Sequence, residues 1–224
     1  RLDCLRVDRD KLRRILRIGI PSAIQYALFA VANLFVQASV NSFDHVMVEG
    51  NSAAANTDPL VYDMMAAFYT ACTSFIAQNL GAGKRERILK SFYICLLYSF
   101  LLGLFLGLGI YVLRYPFLSL FTSDQAVVDA GIKRLTVMAL SYCVSAFMDC
   151  TIAASRGLGK TIVPMFIVTA GSTVFRLLWI WTVFAYFRTI ESLYLLYVFS
   201  WTITAVAELI YFARIFKSAE ISAV

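Results

Sequence analysis

Apolar residues in this chain gather into six long blocks, roughly 18–43, 53–80, 92–113, 135–154, 161–187 and 193–216. A helix rises about 1.5 Å per residue, so about 20 apolar residues match the hydrocarbon core of a bilayer. The pattern predicts six spanning helices. Polar turns separate them: an acidic one at 44–51, a basic one at 84–90, and Arg156-Gly157-Leu158-Gly159-Lys160. Residues 115–131 are too polar to span and read as a short helix at the outer surface, with Thr122-Ser123-Asp124-Gln125 as a capping box. Pro21 and Pro164 fall near the starts of their spans, where a missing N–H is tolerated. Residues 1–17 carry seven basic side chains around a stripe of Leu5, Leu12, Ile15 and Leu16, and read as a basic amphipathic connector. Residues 18–217 then form the bundle and 218–224 a tail.

Composition strengthens the membrane reading. Apolar residues make up 60% of the chain and charged residues 15%, with a mean hydropathy of +0.74. Soluble domains average about 45–50% and about 25%. The net charge of +6 does not point to nucleic acid, because the basic residues sit in turns between apolar blocks. The turns assigned to the inside hold fifteen Lys and Arg, those outside hold four (Arg114, Lys133, Arg134, Arg188), and Arg176 lies within a span. That bias predicts both termini in the cytoplasm. The chain opens with neither Met nor a signal peptide and reads as a piece of something longer.

Enzyme chemistry finds little support. Cys72, Cys95, Cys143 and Cys150 lie within apolar blocks and, like Cys4, belong to no CxxC pair; they read as small buried hydrophobes. His45 is the only histidine and falls in the acidic turn, with no partner in sight. No HExxH or nucleophile motif occurs, and Gly159-Lys160-Thr161 lacks the earlier glycine of a phosphate loop, since position 154 is Ala.

The informative residues are the ionisable ones at membrane depth, each of which costs several kcal/mol there without a partner. They are Asp58, Asp63, Asp149, Arg176 and Glu208. Polar stripes accompany them at helical spacing: Tyr26, Asn33, Gln37 and Asn41; Asn56, Asp63, Thr70 and Ser74; Tyr142, Ser145 and Asp149; Trp201, Thr204 and Glu208. Such faces should turn toward a cavity or neighbouring helices, not lipid. The structural alternatives are that Asp63 or Asp58 pairs with Arg176, and that Asp149 and Glu208 reach Arg156 or Arg214. The functional alternative is that one carboxylate, Asp149 before Asp63 before Glu208, binds a proton or Na⁺, helped by oxygens such as Ser145 and Thr204. Trp179, Trp181, Tyr186, Tyr194 and Tyr197 read mainly as an interfacial belt, the alternative being that some face the cavity and meet cationic substrates through their ring faces.

Ala77-Gln78-Asn79-Leu80-Gly81-Ala82-Gly83 resembles the turn after the second helix of a bundle in the multidrug and toxic compound extrusion (MATE) transporters. Gly19-Ile20-Pro21-Ser22, Gln37-Ala38-Ser39-Val40-Asn41-Ser42-Phe43, Phe121-Thr122-Ser123-Asp124 and Arg156-Gly157-Leu158-Gly159-Lys160-Thr161 follow in the order that family shows. The resemblance implies an all-α integral membrane protein, one six-helix bundle of a twelve-helix transporter, more like its C-terminal half. It also implies export of small cationic amphiphiles driven by Na⁺ or H⁺ re-entry, no other cofactor, a second six-helix half as partner, and residence in a bacterial inner membrane. Many members carry an acid in the first helix of this bundle, whereas 18–43 holds none. Asp149 also falls about one turn nearer the inside than the acid some relatives carry. A lipid-linked saccharide flippase of the same superfamily and a non-transporting half-length assembly module are the alternatives.

Overall fold

In a computed structural model that describes residues 8–218, the six spans are present and pack as one bundle. The helices are α1 (Arg9–Val40), α2 (His45–Ala55), α3 (Thr57–Gly81), α4 (Arg85–Val112), α5 (Arg114–Leu118), α6 (Gln125–Gly157), α7 (Ile162–Val168), α8 (Phe175–Trp179), α9 (Ala185–Phe187) and α10 (Ile190–Lys217). α2 with α3 forms one span, and α7, α8 and α9 form another, joined by π-helical turns at Thr169–Val174 and Ile180–Phe184. α6 is the mast of the bundle: 67% of its most apolar stretch is enclosed by protein, against 11% for α1. Arg85 donates to the Phe216 carbonyl and covers that ring, and Thr161 reaches α1 at Arg17, so the chain ends and both glycine turns share one face, the basic end.

Helix boundaries differ from hydropathy because caps, not apolar content, set them. Asp8 caps α1, accepting from the backbone of Asp10 and Lys11, and the helix runs unbroken from Arg9 through the first span. Pro21 is therefore inside a helix, not near its start. Its missing N–H frees the Arg17 carbonyl, which accepts instead from Thr161 Oγ1 at 3.5 Å. Residues 44–51 are likewise no turn: Asp44 caps α2, and His45 lies 3.5 Å from the Glu49 carboxylate one turn on. The second span breaks at Asn56, between α2 and α3, where the hydropathy shows no interruption. Pro59 accounts for it, since its ring clashes with the carbonyl at position 55. Residues 115–131 divide between α5 and the first turns of α6, where Asp124 Oδ1 accepts from Ala126 N and Thr122 Oγ1 from Asp124 N, in place of the expected capping box. Residues 1–7 and 219–224, with Cys4 and nearly all of the tail, lie outside the described residues.

The two glycine turns share one geometry. Gly83 and Gly159 have φ of +65° and +74°. Lys84 N returns to Asn79 O at 2.9 Å and Lys160 N to Ser155 O at 3.0 Å, closing the last helical turn as a left-handed glycine allows. Elsewhere glycine permits backbone contact. A Cβ at Gly50 would meet Gly131 N at 2.6 Å, and one at Gly107 would meet Ala139 O at 2.0 Å. Cys72, Cys95 and Cys150 are buried free thiols in one apolar cluster near the basic end.

Gly107→Ala is expected to cost about 1–3 kcal/mol by forcing α4 off α6. Gly109→Ala, which meets nothing within 4 Å, should be neutral. Thermal unfolding in detergent compares them, and equal melting points would show that α4 and α6 do not meet backbone to backbone.

Candidate functional site

Two cavities lie one above the other along the bundle axis. The upper, of about 380 Å³, is lined by Phe29, Asn33 and Gln37 of α1, Asp58, Tyr62 and Tyr69 of α3, Arg134, Met138, Met148 and Asp149 of α6, and Tyr197 and Trp201 of α10. The lower, of about 320 Å³, lies toward the basic end and is lined by Gln25, Tyr26, Phe29, Tyr69, Thr70, Thr73, Ser74, Met148, Asp149 and Arg156. Phe29, Tyr69, Met148 and Asp149 belong to both walls. Asp149 is thus the carboxylate at the junction. No hydrogen bond or ion pair holds it among the described residues.

The charge above it is neutralised. Arg134 pairs with Asp58 through Nη2 and donates from Nη1 to Asn51 Oδ1 at 2.8 Å. Tyr194 OH donates to the same Asn51 oxygen at 3.0 Å, and Tyr142 OH to Asp58 Oδ1 at 2.6 Å. Thr57 Oγ1 sits 3.1 Å from that phenol. Asn51 Nδ2 donates to Gln37 Oε1 at 3.3 Å, and Gln37 Nε2 to Asn41 Oδ1 at 2.9 Å. The α2–α3 break makes this cluster feasible: it brings Asn51, Thr57 and Asp58 to face one side of α6. Hydropathy had set Arg134 at the outer edge of the fourth span; α6 in fact begins at Gln125, so Arg134 is two and a half turns inside and buried.

Arg176 pairs with no carboxylate, contrary to expectation. It is fully buried between the faces of Phe29 (4.5 Å) and Tyr197 (4.7 Å), with Nη1 donating to Asn33 Oδ1 at 2.7 Å and Nε to Ser200 Oγ at 3.3 Å. Ring faces and neutral oxygens surround the guanidinium, so it stands behind the upper cavity and not in it.

Other predicted residues divide between the cavities and the packing. Asn33, Gln37 and Trp201 line the upper cavity, and Tyr26, Thr70 and Ser74 the lower. Tyr26 lies under the Arg156 guanidinium at 5.3 Å, and Arg156 also donates to Gln25 Oε1 at 3.0 Å. Asp63 is exposed on α3, on the stripe of Thr70 and Ser74, lines neither cavity and does not pair with Arg176. Asn41 is exposed at the end of α1 and reaches the cavity wall only through Gln37. Tyr142 is buried behind the wall. Ser145 and Thr204 do not join Asp149, because each hydroxyl turns back to its own helix, to Tyr142 O at 2.8 Å and Ser200 O at 2.6 Å. Glu208 is buried, lines neither cavity, and like Asp149 forms no ion pair with Arg156 or Arg214. The aromatic belt is half correct. Trp181 and Tyr186 are 68% and 82% exposed, but Tyr194 is buried at Asn51 and Tyr197 lines the cavity.

The model of the MatE family matches residues 21–182. The chain belongs to the MatE family. Among curated relatives, it is 23% identical over 160 residues to the probable multidrug resistance protein YoeA of Bacillus subtilis, covering 71% of this chain and 35% of YoeA. It is 24% identical to the probable multidrug resistance protein NorM of Thermotoga maritima, covering 69% and 33%. A FAD transporter of Shewanella oneidensis is 26% identical over 126 residues, covering 54% and 28%. Among solved structures, a mutant of the Vibrio cholerae MATE transporter VcmN superposes with a TM-score of 0.87 at 19% identity, over 99% of this chain and 50% of that one. A MOP superfamily transporter from Pyrococcus furiosus, described as having a binding pocket of reverse polarity, gives 0.88 at 16% identity over 100% and 50%. The chain spans half the length of these solved transporters, and its matches cover about a third of the curated ones. This MatE chain is an all-α membrane protein with the architecture of one six-helix half.

Asp58→Asn leaves the Arg134 charge inside the bundle without its counterion, an expected cost of about 3–5 kcal/mol. Replacing both residues by Leu should recover most of that loss. Unfolding of the single and double variants by heat measures it, and a single variant as stable as the parent would mean that the pair does not form in the membrane.

Proposed function

We propose that this chain forms half of a secondary antiporter that exports small organic cations in exchange for Na⁺ or H⁺, with Asp149 as the exchange carboxylate. One observation carries the reading: Asp149 is the unpaired acid on the wall shared by two cavities stacked along the membrane axis. A carboxylate reachable from either side can take a cation from one compartment and release it to the other. Ion and cargo compete for the same charge, so loading one expels the other. That competition is the coupling.

The lining favours a cation with an apolar body. In the upper cavity Asp58 is balanced by Arg134, which leaves Asp149 as the charge without a counterion on that wall, while Arg156 lines the lower cavity. Tyr62, Tyr69 and Trp201 add aromatic surface that attracts a cation through the ring faces. Phe29 and Tyr197 contribute less, since Arg176 already covers one face of each. The lightly buried α1 and the exposed Asp63, Thr70 and Ser74 stripe of α3 leave the cavities open on one side. A second six-helix bundle, covalent or on another chain, would supply the missing wall, in the inner membrane of a bacterium.

The test is efflux of ethidium from proteoliposomes holding the complete transporter, under separate Na⁺ and proton gradients. Asp149→Asn should abolish gradient-driven efflux and weaken ethidium binding at least about tenfold, which is about 1.4 kcal/mol. Asp63→Asn should leave efflux near the parent. Unchanged gradient dependence in Asp149→Asn would remove Asp149 from the mechanism.

A further inference from the structure

A second carboxylate is hidden behind the cavities. Glu208 lies on α10 one turn past Thr204, toward the basic end; it is fully buried, and neither carboxylate oxygen has a hydrogen-bond partner among the described residues. Its helix is clamped just above it. Thr204 Oγ1 lies 3.2 Å from Ser172 Oγ in the π-helical turn Thr169–Val174, and a Cβ at Gly171 would stand 2.4 Å from Thr204 Oγ1. No opening to either cavity includes Glu208.

The charged groups around it are few. From α6, Arg156 acts on both Glu208 and Asp149, so two acids bear on one guanidinium, and neither is within ion-pair distance of it. α7 and both π-helical turns carry no ionisable side chain. α8 brings Arg176, held at Ser200, two turns of α10 away. α1 brings Tyr26, engaged with Arg156.

An ionised carboxylate without donors in such a place costs several kcal/mol, far more than the neutral acid. Sodium would need several oxygen ligands, and among the described residues no polar atom bonds either Glu208 oxygen. A proton needs only the carboxylate. We infer that Glu208 is a second proton-carrying site, sealed and protonated in this conformation, which exchanges its proton only when α10 and the π-turn segment move apart. On opening, the O–H bond breaks, the proton passes to entering water, and the carboxylate left behind is stabilised by Arg156. π-helical turns are natural places for such movement, because their hydrogen bonds already depart from the α-helical ladder. The inference extends the exchange reading above, yet its chemistry stands on Glu208 alone.

Infrared difference spectra of the complete protein in liposomes, taken between neutral and alkaline pH, test it. The expected result is a C=O stretch from a protonated carboxyl at neutral pH that disappears in Glu208→Gln, persists in Asp149→Asn, and moves in frequency in Glu208→Asp. Glu208→Gln, a neutral isostere, should also melt at the parent temperature. Absence of the band from both the absolute and the difference spectra, its persistence in Glu208→Gln, or a collapse of stability in that variant would each overturn the inference. Ethidium efflux by Asp149→Asn reports on the cavity reading separately, and neither outcome there alters the Glu208 band.

Discussion

The cost of placing charge in a medium that cannot solvate it governs this structure. Hydrocarbon offers no hydrogen bonds, so each buried ionic or polar group must find its partners within the protein. The bundle meets this demand in two ways. Near the end opposite the glycine turns, Asp58, Arg134, Asn51, Tyr142 and Tyr194 satisfy one another across α2, α3, α6 and α10. At mid-depth, Arg176 is received by two ring faces and two neutral oxygens, with Nη2 left without a hydrogen bond among the described residues. Against that background, Asp149 and Glu208 stand out because they have no such partners. Asp149 faces cavities and Glu208 faces protein.

Local irregularities create the room in which those groups sit. The Pro59 break turns α2 and α3 so that the polar cluster can close on α6. Pro21 gives up one backbone bond, and the freed carbonyl ties α1 to the start of α7. The π-helical turns flank Arg176 on either side along its span. Where such bends are absent, glycines let helices approach closely, as at Gly107 against Ala139 and Gly50 against Gly131. Gly171, within the first π-helical turn, likewise brings that segment against Thr204 of α10.

The six spans, their order and the two glycine turns were legible in the chain because each rests on local patterning. So was the polar face that carries Asp149. Other features were not. Hydropathy starts the fourth span at Leu135, so Arg134 reads as a surface charge, although the Asp124 cap begins the helix ten residues earlier. Asn51 reads as turn for the same reason. Periodicity gives the direction of a side chain on its helix, but not the neighbour it meets. Thus Ser145 and Thr204, grouped by spacing with Asp149 and Glu208, line neither cavity and turn back to their own helices, and Asp58 found Arg134 in preference to Arg176.

The central claim is that the polar faces of α1 and α3 line a space that water enters, not a sealed protein core. Cysteine accessibility in the complete protein measures this most directly. In a cysteine-free background, Gln37→Cys and Thr70→Cys are expected to react with a membrane-impermeant thiosulfonate, and a bound organic cation should slow both. Phe105→Cys, on the lipid-exposed face of α4, should not react. If Gln37→Cys and Thr70→Cys prove as inert as Phe105→Cys, no aqueous cavity reaches these faces and the account is contradicted.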